Sequence, residues 1–310
     1  MKIEKYNESH LRVFASRDVL YGIKDFFTFK APGYQFSPKF KQKIWDGNVS
    51  LFNIQTNKLP VGLHDLLLQY AERVEEEVEY IPNQNYKNFE PENIDYDEFL
   101  EFVKGLNLSD KKGDPITAKP YQISAAYSAL NNRRMTLSMP TGSGKSLTIY
   151  IIIRWMIKHE MRTVLLVPSI SLVKQMVSDF IEYSLLNGFN VDEYTNLLYN
   201  GQEKDFGSFI LVSTWQSMSK MIKTSYGVKA LNSYDCMIVD EAHTAKGTEF
   251  QKILELATEI SFRIGTTGTV DNKKINELMI VGGLGPINKI ITTKELMDEG
   301  HLSDMEIKAL

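Results

Sequence analysis

Cysteine is almost absent from the sequence, whose 310 residues contain only Cys236. No disulfide can therefore form within these residues, which fits a reducing compartment and excludes the disulfide-rich secreted proteins. Because Cys236 lies in the apolar run Cys236-Met237-Ile238-Val239, we expect its thiol to be buried and inert.

Long hydrophobic runs are missing as well. The apolar stretch at 149–153 is followed at once by Arg154, so it is far shorter than the roughly 20 residues that cross a bilayer. Residues 1–5 lack the basic start, apolar stretch and cleavage site of a secretion signal. We expect no membrane contact and a cytoplasmic location.

An overall positive charge is also lacking, since the formal net charge is −4. This excludes a uniformly basic protein that coats nucleic acid. The charge is unevenly distributed: residues 1–60 hold ten Lys or Arg against five Asp or Glu, and residues 61–118 hold five against fourteen. A nucleic-acid contact would have to come from a local patch, and the basic part comes first.

What the sequence does contain is the composition of a globular protein, with 43% apolar and 24% charged residues. Its length allows two domains. Residues 1–85 predict a small α+β domain, residues 86–115 predict a polar linker, and residues 116–295 alternate apolar runs with helices. That alternation predicts an α/β domain with a mainly parallel sheet. The predicted strands of this sheet are 135–139, 163–167, 209–213, 236–240, 262–266 and 287–291.

Within the first domain, the pattern predicts a strand at 11–14, a helix capped by Ser16, and a helix at 63–74 followed by a short acidic strand. Residues 34–51 predict two strands joined by a tight turn at Asp46-Gly47. One strand face would then carry three lysines, Lys39, Lys41 and Lys43.

A phosphate-binding loop is predicted at residues 139–146, between an apolar strand and a helix. Gly142 and Gly144 would let backbone N–H groups turn towards phosphates. Lys145 would reach the terminal phosphates, and Ser146 could ligate Mg²⁺. ATP and Mg²⁺ are therefore the expected cofactors, although the first position of the usual pattern, a glycine, is Met139 here. The expected nucleotide-binding residues of this loop are Thr141, Gly142, Ser143, Gly144, Lys145 and Ser146.

Two carboxylates, Asp240 and Glu241, end a later apolar strand. Asp240 would hold Mg²⁺ through water, and Glu241 would orient or deprotonate the attacking water. A solvated acidic turn would explain an isolated pair of this kind, but it would not explain a pair downstream of a phosphate loop.

The run Asp240-Glu241-Ala242-His243 is similar to the DEAH box of the superfamily 2 helicases and translocases. The run Lys119-Pro120-Tyr121-Gln122 resembles the element of that family that reads the adenine, with Tyr121 and Gln122 as nucleotide contacts and Lys119 in place of the usual Arg. The resemblance implies a RecA-like P-loop domain that hydrolyses ATP. Its catalytic residues would be Lys145, Asp240, Glu241 and His243.

Two loops that follow strands, within 164–175 and 213–217, resemble the motifs with which this family touches the nucleic-acid backbone. Such contacts need hydroxyl and backbone N–H groups more than base readers. Trp215 could stack on a base, but an aromatic at the start of a helix more often packs in the core. The DNA-binding candidates in these loops are Pro168, Ser169, Gln175 and Thr214.

The run Gly265-Thr266-Thr267-Gly268-Thr269 resembles motif III of the same family. The resemblance implies that Thr267 and Thr269 couple the phosphate site to the DNA track, with His243 as the partner. A Gly/Thr turn that merely closes a strand is the alternative.

The first domain is similar to the N-terminal domain of UvsW-like phage recombination helicases, on the strength of residues 32–38 and 45–47. That resemblance implies a domain that grips duplex or branched DNA, with Lys39, Lys41 and Lys43 on phosphates beside aromatic residues. The open alternative is a tiny domain whose core contains Phe36 and Trp45 and whose lysines are only solvated.

Motors of superfamily 2 contain a second RecA-like domain that supplies arginines to the ATP. No Arg follows Arg263, and residues 296–310 resemble the start of an interdomain linker. We therefore expect that the parent protein continues into a second motor domain.

Together these patterns predict an ATP-dependent DNA helicase or translocase that acts on branched recombination or replication DNA, tracks along a strand and works as a monomer. Its location would be the host cytoplasm if a phage encodes it, and no pattern identifies a protein partner. The alternatives are a duplex-DNA translocase of the restriction-subunit type, an RNA helicase with a DEAH box, or an ATP- and DNA-binding module without efficient turnover.

Overall fold

The computed structural model describes residues 1–83, 86, 89–199, 206–244, 247–269 and 274–298. Within these ranges, no helix is both long and apolar enough to cross a membrane. The expected linker at 296–310 falls mostly outside the described residues.

The front unit is built on a four-stranded sheet with the order β5-β2-β1-β6, in which β1 is antiparallel to β2 and parallel to β6. Alternate residues such as Ile3, Leu11 and Val13 are fully buried in its core, as expected of strands with one covered face. Ser16 caps the first helix, as predicted, by accepting the N–H of Val19. The elements are β1 (Lys2–Lys5), β2 (His10–Phe14), α1 (Arg17–Phe26), β3 (Thr28–Lys30), α2 (Pro38–Lys41), β4 (Asn48–Ser50), β5 (Lys58–Pro60), α3 (His64–Arg73) and β6 (Glu79–Ile81).

The predicted pair of strands at 34–51 is wrong. Only β4 is a strand, and it pairs with β3, while Pro38 begins the short helix α2. Proline suits a first helical turn because its φ is fixed, and it cannot donate to a strand ladder. Lys39 and Lys41 therefore lie on a helical turn, and Lys43 has a positive φ of 58°. The three lysines do not share a strand face.

The motor unit contains a seven-stranded sheet with the order β13-β7-β12-β11-β8-β10-β9, and every pair in it is parallel. All six predicted strands are confirmed. The edge strand β9 was missed, because its four residues carry only partial burial and no clear pattern. The elements are α4 (Tyr96–Gly105), α5 (Pro120–Asn132), β7 (Arg134–Ser138), α6 (Lys145–Lys158), β8 (Thr163–Val167), α7 (Ile170–Ser184), α8 (Val191–Tyr194), β9 (Thr195–Leu198), β10 (Ile210–Thr214), α9 (Trp215–Met221), α10 (Ser225–Leu231), β11 (Cys236–Val239), α11 (Thr248–Leu256), β12 (Phe262–Thr267), α12 (Lys274–Leu284), β13 (Ile287–Lys289) and α13 (Thr293–Asp298).

Helices cover both faces of this sheet. In β8, Leu165 and Val167 belong to one buried cluster, whereas Val164 and Leu166 belong to the cluster on the opposite face. Side chains of a strand alternate between faces, so a strand covered on both sides reads as a continuous apolar run. Cys236 is fully buried, as expected, and burial raises the pKa of its thiol.

The expected linker at 86–115 is partly core. Its helix α4 buries Phe99 completely, and the Phe99 ring packs edge-on against Trp155 of α6 with 5.1 Å between ring centroids. Polar composition around this helix hid its apolar face, which Phe99 and Val103 form. The domain limits drawn from the sequence remain predictions.

The front unit docks on the motor unit through the turn between β1 and β2. The Glu8 N–H donates to the Thr258 carbonyl over 2.9 Å, and the Ser9 hydroxyl donates to the Leu254 carbonyl over 2.8 Å. The buried guanidinium of Arg263 donates to Ser9 Oγ over 2.7 Å and to carbonyls at the end of α11. The turn is thus fixed against the amino edge of the motor sheet.

A buried charge cluster, formed by Lys5, Glu8 and Arg134, reinforces this dock. The Glu8 carboxylate lies 2.8 Å from the Lys5 ammonium and 3.0 Å from the Arg134 guanidinium. Burial alone would raise the pKa of Glu8, but Arg134 and Lys5 bring it below its ordinary value. The carboxylate therefore stays ionised between its two cations.

Candidate nucleotide-binding site

The loop at 139–146 leaves the carboxyl end of β7 and leads into α6. Gly142 and Gly144 have φ values of 84° and 77°, which glycine adopts without steric cost. Gly144 precedes the first residue of α6, so the N–H groups of the first helical turn open towards the loop. This is the predicted geometry of a loop that holds phosphates.

Tyr121 and Gln122 support this loop from α5. The Tyr121 hydroxyl and the Gln122 amide both donate to the Ser143 carbonyl, over 3.0 Å and 2.9 Å, while the Gln122 side-chain oxygen accepts the N–H of Lys119. A Cβ on Gly144 would lie 2.2 Å from Gln122 Nε2. The Lys119–Gln122 run therefore contacts the phosphate loop directly, and a Cβ at position 144, where φ is 77°, would be strained and would displace the Gln122 amide.

Lys145 bridges the loop and the carboxylate pair. Its ammonium donates to the Met139 carbonyl over 3.3 Å and lies 3.9 Å from Glu241 Oε1. On the other side, a Cβ on Gly268 would be 3.5 Å from Lys145 Nζ. The sequence runs at 139–146, 240–243 and 265–269 thus converge on one ammonium group.

Asp240 lies at the end of β11 with only 7% of its surface exposed. Its Oδ1 accepts the Thr266 hydroxyl over 2.7 Å. Burial raises the pKa of this carboxyl above its ordinary value, and the bond from Thr266 partly opposes that shift. A buried carboxylate gains from a bound metal ion, which offsets the cost of its charge.

Glu241 and His243 form the link to motif III. Glu241 has a positive φ of 52°, a strained conformation of the kind found at functional sites. His243 Nδ1 lies 3.2 Å from Glu241 Oε2 and 3.1 Å from Thr267 Oγ1, and Thr267 donates to the Thr269 carbonyl over 2.7 Å. The structure therefore brings His243, Thr267 and Thr269 together, as the sequence indicated.

Ser146 has a partner that the sequence did not indicate. Its hydroxyl lies 2.8 Å from the Tyr183 hydroxyl of α7, and the Asp179 carboxyl also interacts with it. Burial raises the pKa of Tyr183, so the phenol stays protonated at neutral pH. Thr266 was likewise missed as the partner of Asp240. A lone Tyr, or a Thr inside a strand, gives no local signal of such a contact.

The residues present fit a Mg²⁺-bound nucleotide. A glycine-lined loop ahead of α6, an ammonium group and a buried carboxylate meet at the carboxyl ends of β7 and β11. Ser146 and Asp240 supply the hard oxygen atoms that Mg²⁺ prefers.

The loops expected to touch DNA lie at the same edge of the sheet. Gln216 donates to the Pro168 carbonyl over 3.3 Å and so joins the two loops. Ser169 and Thr214 both act as helix caps, since their oxygens accept the N–H groups of Leu172 and Ser217. Ser169 and Gln175 are exposed, whereas Thr214 is only 5% exposed. Trp215 is partly buried and packs against the core, which agrees with the expectation of core packing for an aromatic at the start of a helix.

The lysines of the front unit are not part of the nucleotide site. Lys39, Lys41 and Lys43 are exposed on the connection between β3 and β4. Phe36 on the same connection is 79% exposed, so the idea that it forms a domain core is wrong. Trp45 is partly buried and donates its indole N–H to the Asn48 carbonyl over 2.7 Å.

The seven-stranded parallel sheet, the phosphate loop and the carboxylate pair define a RecA-like domain of the helicase type. The chain belongs to the family described as "Type III restriction enzyme, res subunit", whose model matches residues 115–272. Residues 1–81 match a second family model, "DNA helicase UvsW, N-terminal".

Known relatives are similar over the whole chain. The "ATP-dependent DNA helicase uvsW" of Enterobacteria phage T4 is 28% identical over 311 aligned residues, which cover 100% of this chain and 60% of the relative. The chain thus spans about three fifths of that relative's length. A crystal structure of the UvsW helicase from bacteriophage T4 superposes with a TM-score of 0.81 at 27% identity, over 93% of this chain and 99% of that one. A second T4 UvsW crystal structure gives 0.82 at 27% identity, over 94% of this chain and 57% of that one.

Proposed function

We propose that the chain forms the nucleotide-binding half of an ATP-dependent DNA helicase or translocase that acts on branched recombination or replication DNA. The observation that carries this proposal is the convergence of Lys145, the 240–243 run and Thr267 at one edge of the sheet. The similarity along the whole chain to a phage helicase supports it.

ATP would bind with its phosphates on the loop at 141–146. The N–H groups of the first turn of α6 and the Lys145 ammonium would hold the phosphate oxygens. Tyr121 and Gln122 would contact the adenine base. Ser146 and Asp240 would hold Mg²⁺, which would neutralise phosphate charge.

Glu241 would accept the proton of the attacking water. Its carboxylate stands between the Lys145 ammonium and His243, with 29% of its side chain exposed. This placement leaves one face open to solvent, where a water molecule can be oriented for attack on the terminal phosphate.

Coupling to DNA would run from His243 through Thr267 and Thr269. The loops that carry Pro168, Ser169, Gln175 and Thr214 follow β8 and β10 at the same edge, and they would touch the DNA backbone during strand tracking. Ser169 uses its side-chain oxygen as a helix cap, so its hydroxyl hydrogen would face the phosphate. The Thr214 hydroxyl caps its helix and donates to Ser217 Oγ over 2.9 Å, so nearby N–H groups would make the contact there. In the front unit, the exposed Lys39, Lys41 and Lys43 would bind phosphates of duplex or branched DNA.

The proposed domains are 1–85, 86–115 as their connection, 116–295, and 296–310 as the start of a linker. The protein would work as a monomer in the host cytoplasm. The relatedness to restriction-enzyme subunits keeps duplex translocation without strand separation as an alternative outcome of the assay below.

A second candidate function is an ATP- and DNA-binding module without efficient turnover. The arginines of the motor unit favour it, because none is hydrogen-bonded or ion-paired to the phosphate loop within the described residues. Arg134 and Arg263 serve the dock, and Arg162 donates to carbonyls before β10 and β11. Arg154 lies over the rings of Tyr150 and Phe189.

ATP binding and hydrolysis should be measured without DNA, with linear duplex and with a forked duplex of equal length. The proposed function predicts ATP binding and faster hydrolysis with the fork. Glu241→Gln should keep binding and lose hydrolysis, whereas Lys145→Ala should weaken binding. Binding of both ligands without turnover would favour the module. A chain that binds no ATP would overturn both functions.

A further inference from the structure

The connection between β3 and β4, residues 31–47, forms a small ordered lobe. The Ala31 N–H donates to the Gly47 carbonyl over 2.9 Å and closes its base. Inside, the Tyr34 and Phe40 rings meet edge to face with 4.8 Å between centroids. A Cβ on Gly47 would lie 2.5 Å from the Tyr34 ring, so the ring rests on the glycine backbone. The lobe therefore has an interior of its own.

Two large apolar side chains of this lobe point away from that interior. Phe36 is 79% exposed and Ile44 is 72% exposed, the highest values for large hydrophobic residues in the part of the chain that the structure describes. A single exposed apolar residue is common in proteins. Two on one short lobe, whose neighbouring aromatics are packed, indicate a surface that is covered in a complex.

The charge of the lobe indicates what covers it. Residues 30–47 contain four lysines and one carboxylate, Asp46. Lys30 is engaged, because it donates to the Asp46 carbonyl and lies over the Tyr34 ring. None of the ion pairs formed among the described residues involves Lys39, Lys41 or Lys43. Positive charge without an ion pair thus lies on the same short connection as Phe36 and Ile44, which we call its apolar tip.

From this combination we infer that Phe36 and Ile44 contact unpaired bases at a DNA branch point, while the adjacent lysines hold the flanking phosphates. The inference rests on the proposed function and deepens it. Nucleic acid offers dense negative charge together with flat apolar base faces. In an intact duplex the base faces are stacked, so they become available only where strands part. The tip would therefore distinguish branched from linear DNA.

The test compares affinities of the chain for a forked duplex and for a linear duplex of the same length. Phe36→Ala should lower the affinity for the fork about 5- to 20-fold, the effect of losing one aromatic stacked on a base, and should change the affinity for linear duplex less than about twofold. Lys41→Glu with Lys43→Glu should weaken binding to both, because phosphates are common to both. Phe14→Ala removes a 40% exposed phenylalanine of β2 outside the lobe and should change neither affinity.

A fluorescent base supplies the second measurement. With 2-aminopurine at the branch point of the fork, binding of the wild-type chain should change the emission of this base. Phe36→Ala at saturating concentration should leave the emission unchanged. Equal losses of affinity for the fork and for the linear duplex in Phe36→Ala would overturn the inference. An emission change in Phe36→Ala equal to that of the wild-type chain would also overturn it. Loss of self-association with unchanged DNA affinity would assign the lobe to a contact between copies instead. If the wild-type chain binds no DNA, the proposed function fails too. If it binds DNA but Phe36→Ala affects fork and linear duplex equally, only the inference about the lobe fails.

Discussion

The two edges of the motor sheet differ in almost every physical respect. The carboxyl edge carries partly open loops with positive φ values at Gly142, Gly144 and Glu241. The front unit covers the amino edge, and there Glu8 forms buried ion pairs with Lys5 and Arg134. Open loops belong to the first edge, and buried ion pairs belong to the second.

Charged groups of one domain can therefore serve different ends, ligand binding at one edge and folding stability at the other. Lys145 lies 3.9 Å from Glu241, and the Asp240 carboxyl is buried with a raised pKa, so the ammonium and the buried carboxyl each favour a ligand of opposite charge. At the amino edge, Glu8 has two cations already in place, and they hold its pKa below the ordinary value. We therefore expect substitutions at the carboxyl edge to alter chemistry and those at the amino edge to alter stability.

The largest expected effect is that of Glu8→Ala. It would leave Lys5 and Arg134 buried without their carboxylate, which costs about 3–5 kcal/mol of unfolding free energy. Urea unfolding measures this. Glu79→Ala is the matched control, because its pair with Lys2 is exposed and should be worth less than about 1 kcal/mol. Equal losses in the two variants would contradict the proposed role of the dock.

Lys145→Ala should lower the rate of ATP hydrolysis about 100- to 1000-fold, the loss that follows removal of one fixed charge from a reacting phosphate or oxyanion site. Steady-state hydrolysis at saturating Mg²⁺ measures it. The unfolding free energy should stay within about 1 kcal/mol of the wild-type value. A stability loss as large as that of Glu8→Ala would remove the distinction between the edges.

The carboxyl edge could be predicted from the sequence to a large extent. Its residues sit in short runs with fixed spacing that directly follow apolar strands, and parallel strands bring their carboxyl ends to one edge. The meeting of Lys145, Asp240 and Thr267 follows from that rule. Tyr183 could not be predicted, because it reaches Ser146 from the last turn of another helix.

The amino edge could not be predicted at all. Glu8 meets Arg134 across a separation of 126 residues, and an isolated Glu or Arg carries no local pattern. The lobe at 31–47 was also misread, because alternating Lys and apolar residues resemble a strand while Pro38 begins a helix. Local patterns predicted the elements, but long-range charge pairing and proline geometry decided these two regions.

Asp240→Asn should separate function from stability at the carboxyl edge. Burial raises the pKa of Asp240, so the ionised form disfavours folding at neutral pH. The amide should therefore raise the unfolding free energy by about 0.5–2 kcal/mol while Mg²⁺-dependent hydrolysis is lost. Thermal unfolding at pH 7 and at pH 4 gives the test. The gain should shrink at pH 4, where the native carboxyl takes up a proton, and a gain that is independent of pH would contradict the argument.

His10 makes the amino edge sensitive to acid. Burial lowers its pKa to about 4, aided by Lys58 and Arg263. Between pH 6.5 and 4 the unfolded chain therefore binds a proton that the folded chain does not, so stability falls as pH falls through this window. We expect a loss of about 1–2 kcal/mol from pH 7 to pH 5.

His10→Gln is the control for this prediction, since it should flatten the pH profile of the unfolding free energy. The pKa of His64 is also lowered by burial, so the difference between wild type and His10→Gln isolates His10. If wild type and His10→Gln gave identical pH profiles of the unfolding free energy, the folded chain would not hold the pKa of His10 below its ordinary value.

The smallest expected effect concerns Tyr183. Tyr183→Phe removes one of the two groups that compete for the Ser146 hydroxyl and leaves Asp179 in place, so the serine should become more available to Mg²⁺. The Mg²⁺ concentration that half-saturates nucleotide binding should fall about 2- to 5-fold, as expected from one competing hydrogen bond. Titration of a fluorescent ATP analogue at several Mg²⁺ concentrations measures it. An unchanged midpoint would mean that Tyr183 does not compete for Ser146.

The division of labour between the two edges is tested most directly by the shift in melting temperature that Mg²⁺-ATP causes in wild type, Lys145→Ala and Glu8→Ala. A ligand at 100 times its Kd adds about 2.7 kcal/mol to the stability of a folded chain. We predict that wild type and the less stable Glu8→Ala chain both shift upwards, whereas Lys145→Ala does not. A full shift in Lys145→Ala, or none in a folded Glu8→Ala chain, would contradict the assignment of nucleotide binding to the carboxyl edge.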